Sequence, residues 1–196
     1  MSYIERIDLF VKQEMTGSDA GAHAYDHVKR VFSLAMRIGA ILEANLRVLG
    51  AAALLHDVGR AEEGETGVSH SIVSGEMSVE ILEEVGFTQD EIQSVRDVIR
   101  THRFSEGLTP TSLEGEILSD ADKLDALGAI GVFRAIAQAA TTGVGAEGFL
   151  GHADKKLLKL YQMMYTKEGK RLAEARHSIL SDFVAELRKE ISNVES

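Results

Sequence analysis

A histidine and an aspartate stand side by side near the end of the most apolar stretch of the chain, residues 46–58. His56 and Asp57 occur there in the sequence Leu-Leu-His-Asp-Val-Gly. An imidazole and a carboxylate cost free energy where solvation is poor, unless they are paired or bind a metal ion. For the dipeptide alone, a structural hydrogen bond is the more common explanation, and a metal site is the alternative.

Further polar residues fall on apolar helical faces elsewhere in the chain. His27 is in register with Val31, four residues later. Asp122 follows Leu118 at the same spacing, and Asp125 shares that face. Several buried polar groups in one small core are satisfied together most economically by a divalent cation with nitrogen and oxygen ligands.

The elements that must hold these residues are all predicted to be helices. Apolar residues recur at helical spacing along most of the chain, and no segment alternates with a period of two. We therefore expect an all-α fold. The predicted helices cover residues 18–45, 46–58, 70–85, 88–102, 112–136, 154–165 and 168–194, with loops at 62–69, 103–110 and 141–151.

The helices are expected to form a single domain over residues 1–196, because no linker is long enough to divide them. Its metal-binding core would span about residues 18–140, with C-terminal helices over 152–194 packing on it. A capping box begins one of the core helices, since Thr88 is followed three residues later by Glu91.

Composition and charge exclude several classes of protein. The 196 residues carry 21 Lys and Arg against 31 Asp and Glu, a net charge of −10, which argues against binding to a nucleic-acid duplex or an anionic membrane. The absence of Cys excludes disulfides and thiolate ligands or nucleophiles. No stretch approaches the roughly 20 apolar residues of a membrane span. We expect a cytoplasmic protein, either a monomer or a homodimer.

The glycine-rich segment 143–148 reads Gly-Val-Gly-Ala-Glu-Gly and matches the G-x-G-x-x-G pattern of dinucleotide-binding proteins. That pattern binds a dinucleotide only between a strand and a helix of a βαβ unit. Residues 135–140 before it have a helical pattern, so we do not expect it to bind NAD.

The order of the polar residues along the chain resembles that of a known family. His27, then His56-Asp57, then Asp122 is similar to the H…HD…D pattern of the HD-domain metal-dependent phosphohydrolase superfamily, which is all-α. The flanking sequences Ala-Leu-Leu-His-Asp-Val-Gly and Asp-Ala-Asp-Lys-Leu-Asp-Ala-Leu-Gly-Ala agree with it. Residues 120–134 and 156–176 resemble a small bacterial and archaeal subgroup that includes nucleoside-triphosphate pyrophosphohydrolases.

The resemblance implies a metal site and a reaction. It makes His27, His56, Asp57 and Asp122 the ligands of one divalent transition metal, namely Mn, Fe, Ni, Co or Zn, with Mg as a further candidate. Such an ion lowers the pKa of a bound water and polarises a phosphoryl oxygen. The implied reaction on a small nucleotide is hydrolysis of a (d)NTP to the (d)NMP and pyrophosphate. A nucleotide 5′-monophosphatase or a phosphodiesterase is the alternative.

Cationic and imidazole side chains near these ligands are candidates for binding substrate phosphate. His70 and His102 stand at helix ends, where family members bind either phosphate or a second metal, and an exposed histidine without a role is the third reading. Arg60 directly follows the His-Asp helix and is a candidate for both phosphate binding and catalysis. Lys123 is a candidate for binding phosphate, and the alternative is that it forms a salt bridge on the helix surface.

Three carboxylates are candidates for catalytic roles. Glu62 and Glu63 could act as a general acid or as a base that orients water, although solvated carboxylates are common in loops. Asp125 could orient water or a ligand histidine, or make only a structural hydrogen bond. Two other functions are kept as hypotheses: a binding module of the same fold without turnover, and a helical interaction protein whose buried polar groups pair with one another.

Overall fold

All regular structure in the described part of the chain is helical. The computed structural model describes residues 1–15, 25–103 and 106–194. Its helices are α1 Tyr3–Glu14, α2 Tyr25–Ile41, α3 Leu46–Leu55, α4 Arg60–Thr66, α5 His70–Glu84, α6 Gln89–Thr101, α7 Leu113–Asp125, α8 Gly128–Thr141, α9 Gly145–Lys155, a 3-10 helix Leu157–Met163, and α10 Lys167–Val194. The all-α prediction is confirmed. Within these ranges no helix combines the length and apolarity needed to cross a bilayer.

The chain comprises two compact units, residues 1–122 and 123–196. The assignment of residues 1–196 to one domain, with a core at 18–140 and helices of 152–194 packing on it, stays a prediction. The predicted start of α2 at residue 18 or 19 lies outside the described residues.

The first unit is built around α3, which contacts α1, α2, α5 and α6. The helix is nearly all apolar, and every residue from Val48 to Leu55 is buried. Asn45 begins it by accepting the backbone N–H groups of Arg47 and Val48 on its side-chain oxygen. Helix α3 is thus the buried helix predicted for residues 46–58, but it ends at Leu55.

Helices α5 and α6 pack together and against α3. The predicted capping box at the start of α6 is confirmed: Thr88 Oγ1 accepts the Glu91 N–H, and the Glu91 carboxylate accepts the Thr88 N–H. Ser69 begins α5 and accepts the N–H of Ser71. The start at Ser69 sets the end of α5 that carries His70, whereas His102 lies at the opposite, C-terminal end of α6.

Two elements of the first unit differ from the sequence prediction. The loop predicted at residues 62–69 is wrong, because α4 occupies most of it. Acidic side chains in its first turn favour the positive end of a helix, and Gly67 ends it in the left-handed conformation, at φ 72°. Helix α1 was not predicted, although Ser2 and Glu5 form a capping box at its start.

The single helix predicted over residues 112–136 is wrong, since the chain breaks between α7 and α8. Leu127 is extended, at φ −111° and ψ 164°, and Gly128 is left-handed, at φ 69°. A Cβ atom on Gly131 would lie 2.2 Å from the carbonyl oxygen of Ala126. Glycine therefore permits the tight turn that an apolar pattern alone does not reveal.

In the second unit, α10 packs against α8, α9 and the 3-10 helix. The rings of Phe149 and Phe183 meet edge to face at 5.7 Å. The loop predicted at 141–151 is wrong, because α9 begins at Gly145, and the helix predicted at 154–165 is mostly the 3-10 helix. Segment 143–148 follows α8, a helix, so it lacks the strand that a dinucleotide-binding loop requires.

Candidate metal centre

Four buried imidazoles surround the carboxylate of Asp57. They come from separate helices: His27 lies in α2, His56 directly follows α3, His70 begins α5 and His102 directly follows α6. The Nε2 atom lies 3.5 Å from an Asp57 oxygen in His27, 3.6 Å in His56, 3.3 Å in His70 and 3.8 Å in His102. Packing around α3 therefore brings together residues that are far apart in the sequence.

The two oxygens of Asp57 face different partners. His27 and His56 approach Oδ2, and Asp122 Oδ1 lies 3.4 Å from His27 Nε2. His70 and His102 approach Oδ1 instead. We call His27, His56, Asp57 and Asp122 the Oδ2 set. His70 and His102, again with Asp57, are the Oδ1 set.

The spacing within each set suits ligands of one cation. Ligands bound at about 2.0–2.2 Å from an ion lie roughly 3–3.5 Å from each other. In the Oδ2 set, the His27–Asp57 and His27–Asp122 separations are 3.5 and 3.4 Å. In the Oδ1 set, the two Nε2 atoms of His70 and His102 are 3.4 Å apart. Each set can therefore hold a metal ion, with Asp57 common to both.

The orientation of the rings also fits metal binding. His56 Nδ1 donates to the carbonyl oxygen of Ala53 at 2.9 Å, and His102 Nδ1 donates to that of Ile99 at 2.6 Å. This leaves the Nε2 lone pair of each ring directed at Asp57. Within the described residues, the buried Nε2 of His56 has no hydrogen-bond partner. A cation would satisfy that atom.

The protonation states are those that a metal ion requires. Burial lowers the pKa of His56 and His70, and burial together with the nearby His56 lowers the pKa of His102 to about 4. Burial acts to raise the pKa of Asp57, but His56 and Arg60 outweigh it and hold that pKa well below its ordinary value. Burial likewise opposes the lowering of the pKa of Asp122 to about 2, which His27 and His56 cause. These directions favour neutral rings at His56, His70 and His102 beside ionised carboxylates at Asp57 and Asp122.

Two of the predicted residues on α4 contact the Asp57 cluster. Arg60 Nε donates to Asp57 Oδ2 at 2.7 Å. Glu63 Oε2 accepts from His70 Nδ1 at 2.8 Å, and its Oε1 accepts from Arg103 Nη1. Burial acts to raise the pKa of Glu63, but these bonds lower it. Glu62, by contrast, is exposed, and its catalytic role stays a prediction.

The other two predicted residues lie at the end of α7, in the second unit. Lys123 is buried and not on the surface, with Nζ 4.6 Å from the centre of the Tyr165 ring. The Asp125 carboxylate accepts from Arg134 Nη1. Phosphate binding by Lys123 and a catalytic role for Asp125 stay predictions.

Sequence reasoning did not identify the ionic network beside His70. Arg103 pairs with both Glu63 and Glu106, and Glu106 accepts from Arg100 and from the hydroxyls of Ser69 and Ser71. The available signal was weak, because charged residues next to helix ends are common. Only the packing of α5 against α6 shows that these residues meet.

Comparisons with known proteins identify relatives of this chain. A family model described as the HD domain matches residues 24–127. The uncharacterized protein YpgQ of Bacillus subtilis (strain 168) is 33% identical over 201 residues, which cover 98% of this chain and 95% of that protein. The structure of B. subtilis YpgQ in complex with ADP is 29% identical, with a TM-score of 0.78 and coverage of 96% and 97%. A HD-superfamily hydrolase of Bacillus thuringiensis is 32% identical, with a TM-score of 0.76 and 96% coverage of each chain.

Proposed function

The chain belongs to the HD-domain family, and from that premise we propose that it is a divalent-metal-dependent phosphohydrolase acting on nucleotides. The observation that carries the proposal is the convergence of His27, His56, His70 and His102 on Asp57. Buried imidazoles around an ionised carboxylate are costly without a cation. A cation held by such ligands can polarise a phosphoryl oxygen and activate a water, and one of the similar structures is an HD-superfamily hydrolase.

We propose that His27, His56, Asp57 and Asp122 hold one cation. The Oδ1 set, with His70 and His102, would hold a second through the other oxygen of Asp57. Nitrogen and oxygen ligands without sulfur favour Mn²⁺, Fe²⁺, Ni²⁺, Co²⁺ or Zn²⁺, and Mg²⁺ remains a candidate. The positions of His70 and His102 support the second-metal role over the phosphate-binding role, since both Nε2 atoms face Asp57.

A cation bound by these residues would supply an activated water and an electrophile for the phosphoryl oxygen. The residues of the chain would orient the substrate and neutralise its charge. Arg60 is anchored through Nε on Asp57, and its side chain is 23% exposed. This position supports binding of an anionic phosphate by the rest of the guanidinium group, next to the metal ligands. Arg60 also favours the anionic form of Asp57, to which its Nε donates.

For the substrate, we propose a nucleoside triphosphate that is cut to the monophosphate and pyrophosphate. The support is the similarity of residues 120–134 and 156–176 to nucleoside-triphosphate pyrophosphohydrolases, together with the ADP complex of YpgQ. A bound nucleoside diphosphate in a relative of 29% identity favours a nucleotide with a phosphoanhydride over other phosphate esters.

Product analysis tests this proposal. Purified protein would be incubated with Mn²⁺ and, in separate reactions, with NTPs, dNTPs, nucleoside monophosphates and a cyclic dinucleotide, and the products separated by anion exchange. We expect monophosphate and pyrophosphate from a triphosphate. Asp57→Ala should lose about a thousandfold or more in rate, since metal catalysis contributes several kcal/mol.

The other hypotheses give different results in the same assay. Phosphate released from a monophosphate identifies a 5′-monophosphatase, and opening of the cyclic dinucleotide identifies a phosphodiesterase. Metal and nucleotide binding without turnover identifies a binding module. A protein that binds neither metal nor nucleotide would be the helical interaction protein, and that result would contradict the proposal.

A further inference from the structure

His70 is held differently from two of the other histidines that face Asp57. His56 and His102 donate Nδ1–H to backbone carbonyl oxygens three residues earlier in the chain. His70 begins α5, and its Nδ1 lies 2.8 Å from a carboxylate oxygen of Glu63. A side chain from another helix, α4, therefore determines the orientation of this ring.

Glu63 is itself fixed. Its second oxygen accepts from Arg103 Nη1, and Arg103 also pairs with Glu106. The side chain of Glu63 is 25% exposed, so solvent does not dominate these bonds. Because Arg103 holds one oxygen of Glu63, the other oxygen keeps a fixed position as the acceptor for His70 Nδ1.

We propose that Glu63 is a positioning residue that fixes His70 with the proton on Nδ1 and so completes the Oδ1 set as a second cation site. It does not touch the substrate in this role, which differs from the general acid or water-orienting base predicted from sequence. The inference rests on the proposed metal centre and identifies the residue that controls the Oδ1 set.

The tautomer decides whether the Oδ1 set can bind a cation. With the proton on Nδ1, the lone pair of His70 Nε2 faces Asp57 Oδ1 at 3.3 Å and His102 Nε2 at 3.4 Å. With the proton on Nε2, the ring would donate to Asp57 and offer no ligand atom. The carboxylate of Glu63 can only accept a hydrogen bond, so its contact with His70 Nδ1 at 2.8 Å favours the state with the proton on Nδ1. Arg103 Nη1, a donor, lies farther from the same atom, at 3.4 Å.

The effect falls mainly on the Oδ1 set. Within the described residues, the carboxylate of Glu63 bonds to His70 and Arg103 and lies 4.0 Å from Arg60. Arg60 is held independently by its bond to Asp57 Oδ2 at 2.7 Å, and in the same part of the chain Glu63 makes no direct contact with His27, His56 or Asp122. Loss of the Glu63 carboxylate should therefore weaken the second cation and leave the first in place.

Metal titration of the full chain tests the inference without relying on activity. Metal-free protein would be titrated with Mn²⁺ by calorimetry, and the Mn²⁺ signal recorded by electron paramagnetic resonance. We expect about two equivalents for the wild type. In Glu63→Ala, the second equivalent should bind about 10- to 100-fold more weakly, with the first unchanged and the spectrum of a coupled ion pair replaced by that of a single ion. Glu63→Gln, whose amide oxygen can still accept from Nδ1, should restore most of the second equivalent.

Glu65→Gln is the matched control, because Glu65 is exposed on the same helix. It should bind two equivalents like the wild type. Circular dichroism checks whether Glu63→Ala keeps its helical structure. If it does not, Glu63→Gln is compared with Arg103→Met instead. Of these two variants, only Arg103→Met should weaken the binding of the second equivalent.

Four results are distinguishable. Two equivalents falling to one in Glu63→Ala, with rescue in Glu63→Gln, supports the inference. Two equivalents retained in Glu63→Ala overturn it and leave the proposed function intact. A single equivalent in the wild type has the same meaning, since there is then no second site to complete. No Mn²⁺ binding by the wild type overturns both proposals.

Discussion

The backbone N–H of Gly59 donates to the hydroxyl of Ser74 at 2.9 Å, and this bond is buried. It joins the turn that follows His56 and Asp57 to the second turn of α5, the helix that begins with His70. A Cβ atom on Gly59 would lie 2.7 Å from the backbone nitrogen of Ser74. The two parts of the candidate centre are thus held together by a backbone contact that only glycine allows.

Gly59→Ala should lower the free energy of unfolding by about 1–3 kcal/mol, because the added methyl overpacks the contact with α5. Urea denaturation followed by circular dichroism measures the change. Gly64→Ala is the control, since no atom lies within 4 Å of a Cβ built on Gly64 in α4. That variant should be neutral or slightly more stable. Equal stability of both alanine variants would contradict the close approach.

Ser74→Ala should lower the free energy of unfolding by about 1–3 kcal/mol, because the buried Gly59 N–H loses its acceptor. Ser78→Ala is a matched control: Ser78 is also buried on α5, but its hydroxyl donates to the carbonyl oxygen of Gly75 within the helix. Its removal leaves no buried N–H without an acceptor, so the loss should be smaller. The same denaturation experiment compares the two, and a larger loss for Ser78→Ala would refute the account.

A divalent cation should raise the melting temperature of the wild type. A ligand at a hundred times its dissociation constant stabilises the native state by about 2.7 kcal/mol. Scanning calorimetry with Mn²⁺ and then with excess EDTA measures the shift in both directions. Asp57→Asn should remove most of the shift, because Asp57 is common to both sets. Glu80→Gln, at an exposed position of α5, should keep it.

Glu106→Gln should make the stability of the protein less dependent on pH. Burial acts to raise the pKa of Glu106, but hydrogen bonds from Ser69 and Arg100 lower it from 4.5 to about 2. The folded protein therefore favours the ionised form more than the unfolded chain does. Its contribution to stability is present above about pH 4.5 and is lost as the pH falls towards 2.

Denaturation at two pH values measures this effect. At pH 7 the variant should be less stable than the wild type by about 1–3 kcal/mol, and at pH 3 the difference should fall to less than about half of that. Glu80→Gln controls for the loss of one negative charge. A difference that grows towards acid pH would have the wrong sign and would exclude the proposed network.

The helical class and the main polar cluster could be predicted because both leave local marks in the sequence. The apolar run of α3 and the register of His27 with Val31 indicate which side chains turn inward. The capping box of Thr88 and Glu91 marks a helix start within four residues. Each of these signals depends on neighbours that are close along the chain.

Other features depend on contacts that the sequence does not display. Helix α4 has no apolar stripe, so its polar residues were predicted to be a loop. The break at Gly128 interrupts an apolar pattern that continues across it. The contact of Glu63 with Arg103 joins residues 40 positions apart, and only the packing of the helices brings them together.

The bonds that orient His56 and His102 have a second consequence. Ala53 and Ile99, whose carbonyl oxygens accept them, lie among the last four residues of α3 and α6, where carbonyl groups lack an amide partner within the helix. Each imidazole is therefore a C-terminal cap of its own helix. At Ile99 the backbone N–H of His102 also bonds the carbonyl oxygen, at 3.4 Å. Replacing either histidine removes the side-chain cap together with a candidate ligand, so the end of the helix and the binding of the ion are linked through the two nitrogens of a single ring.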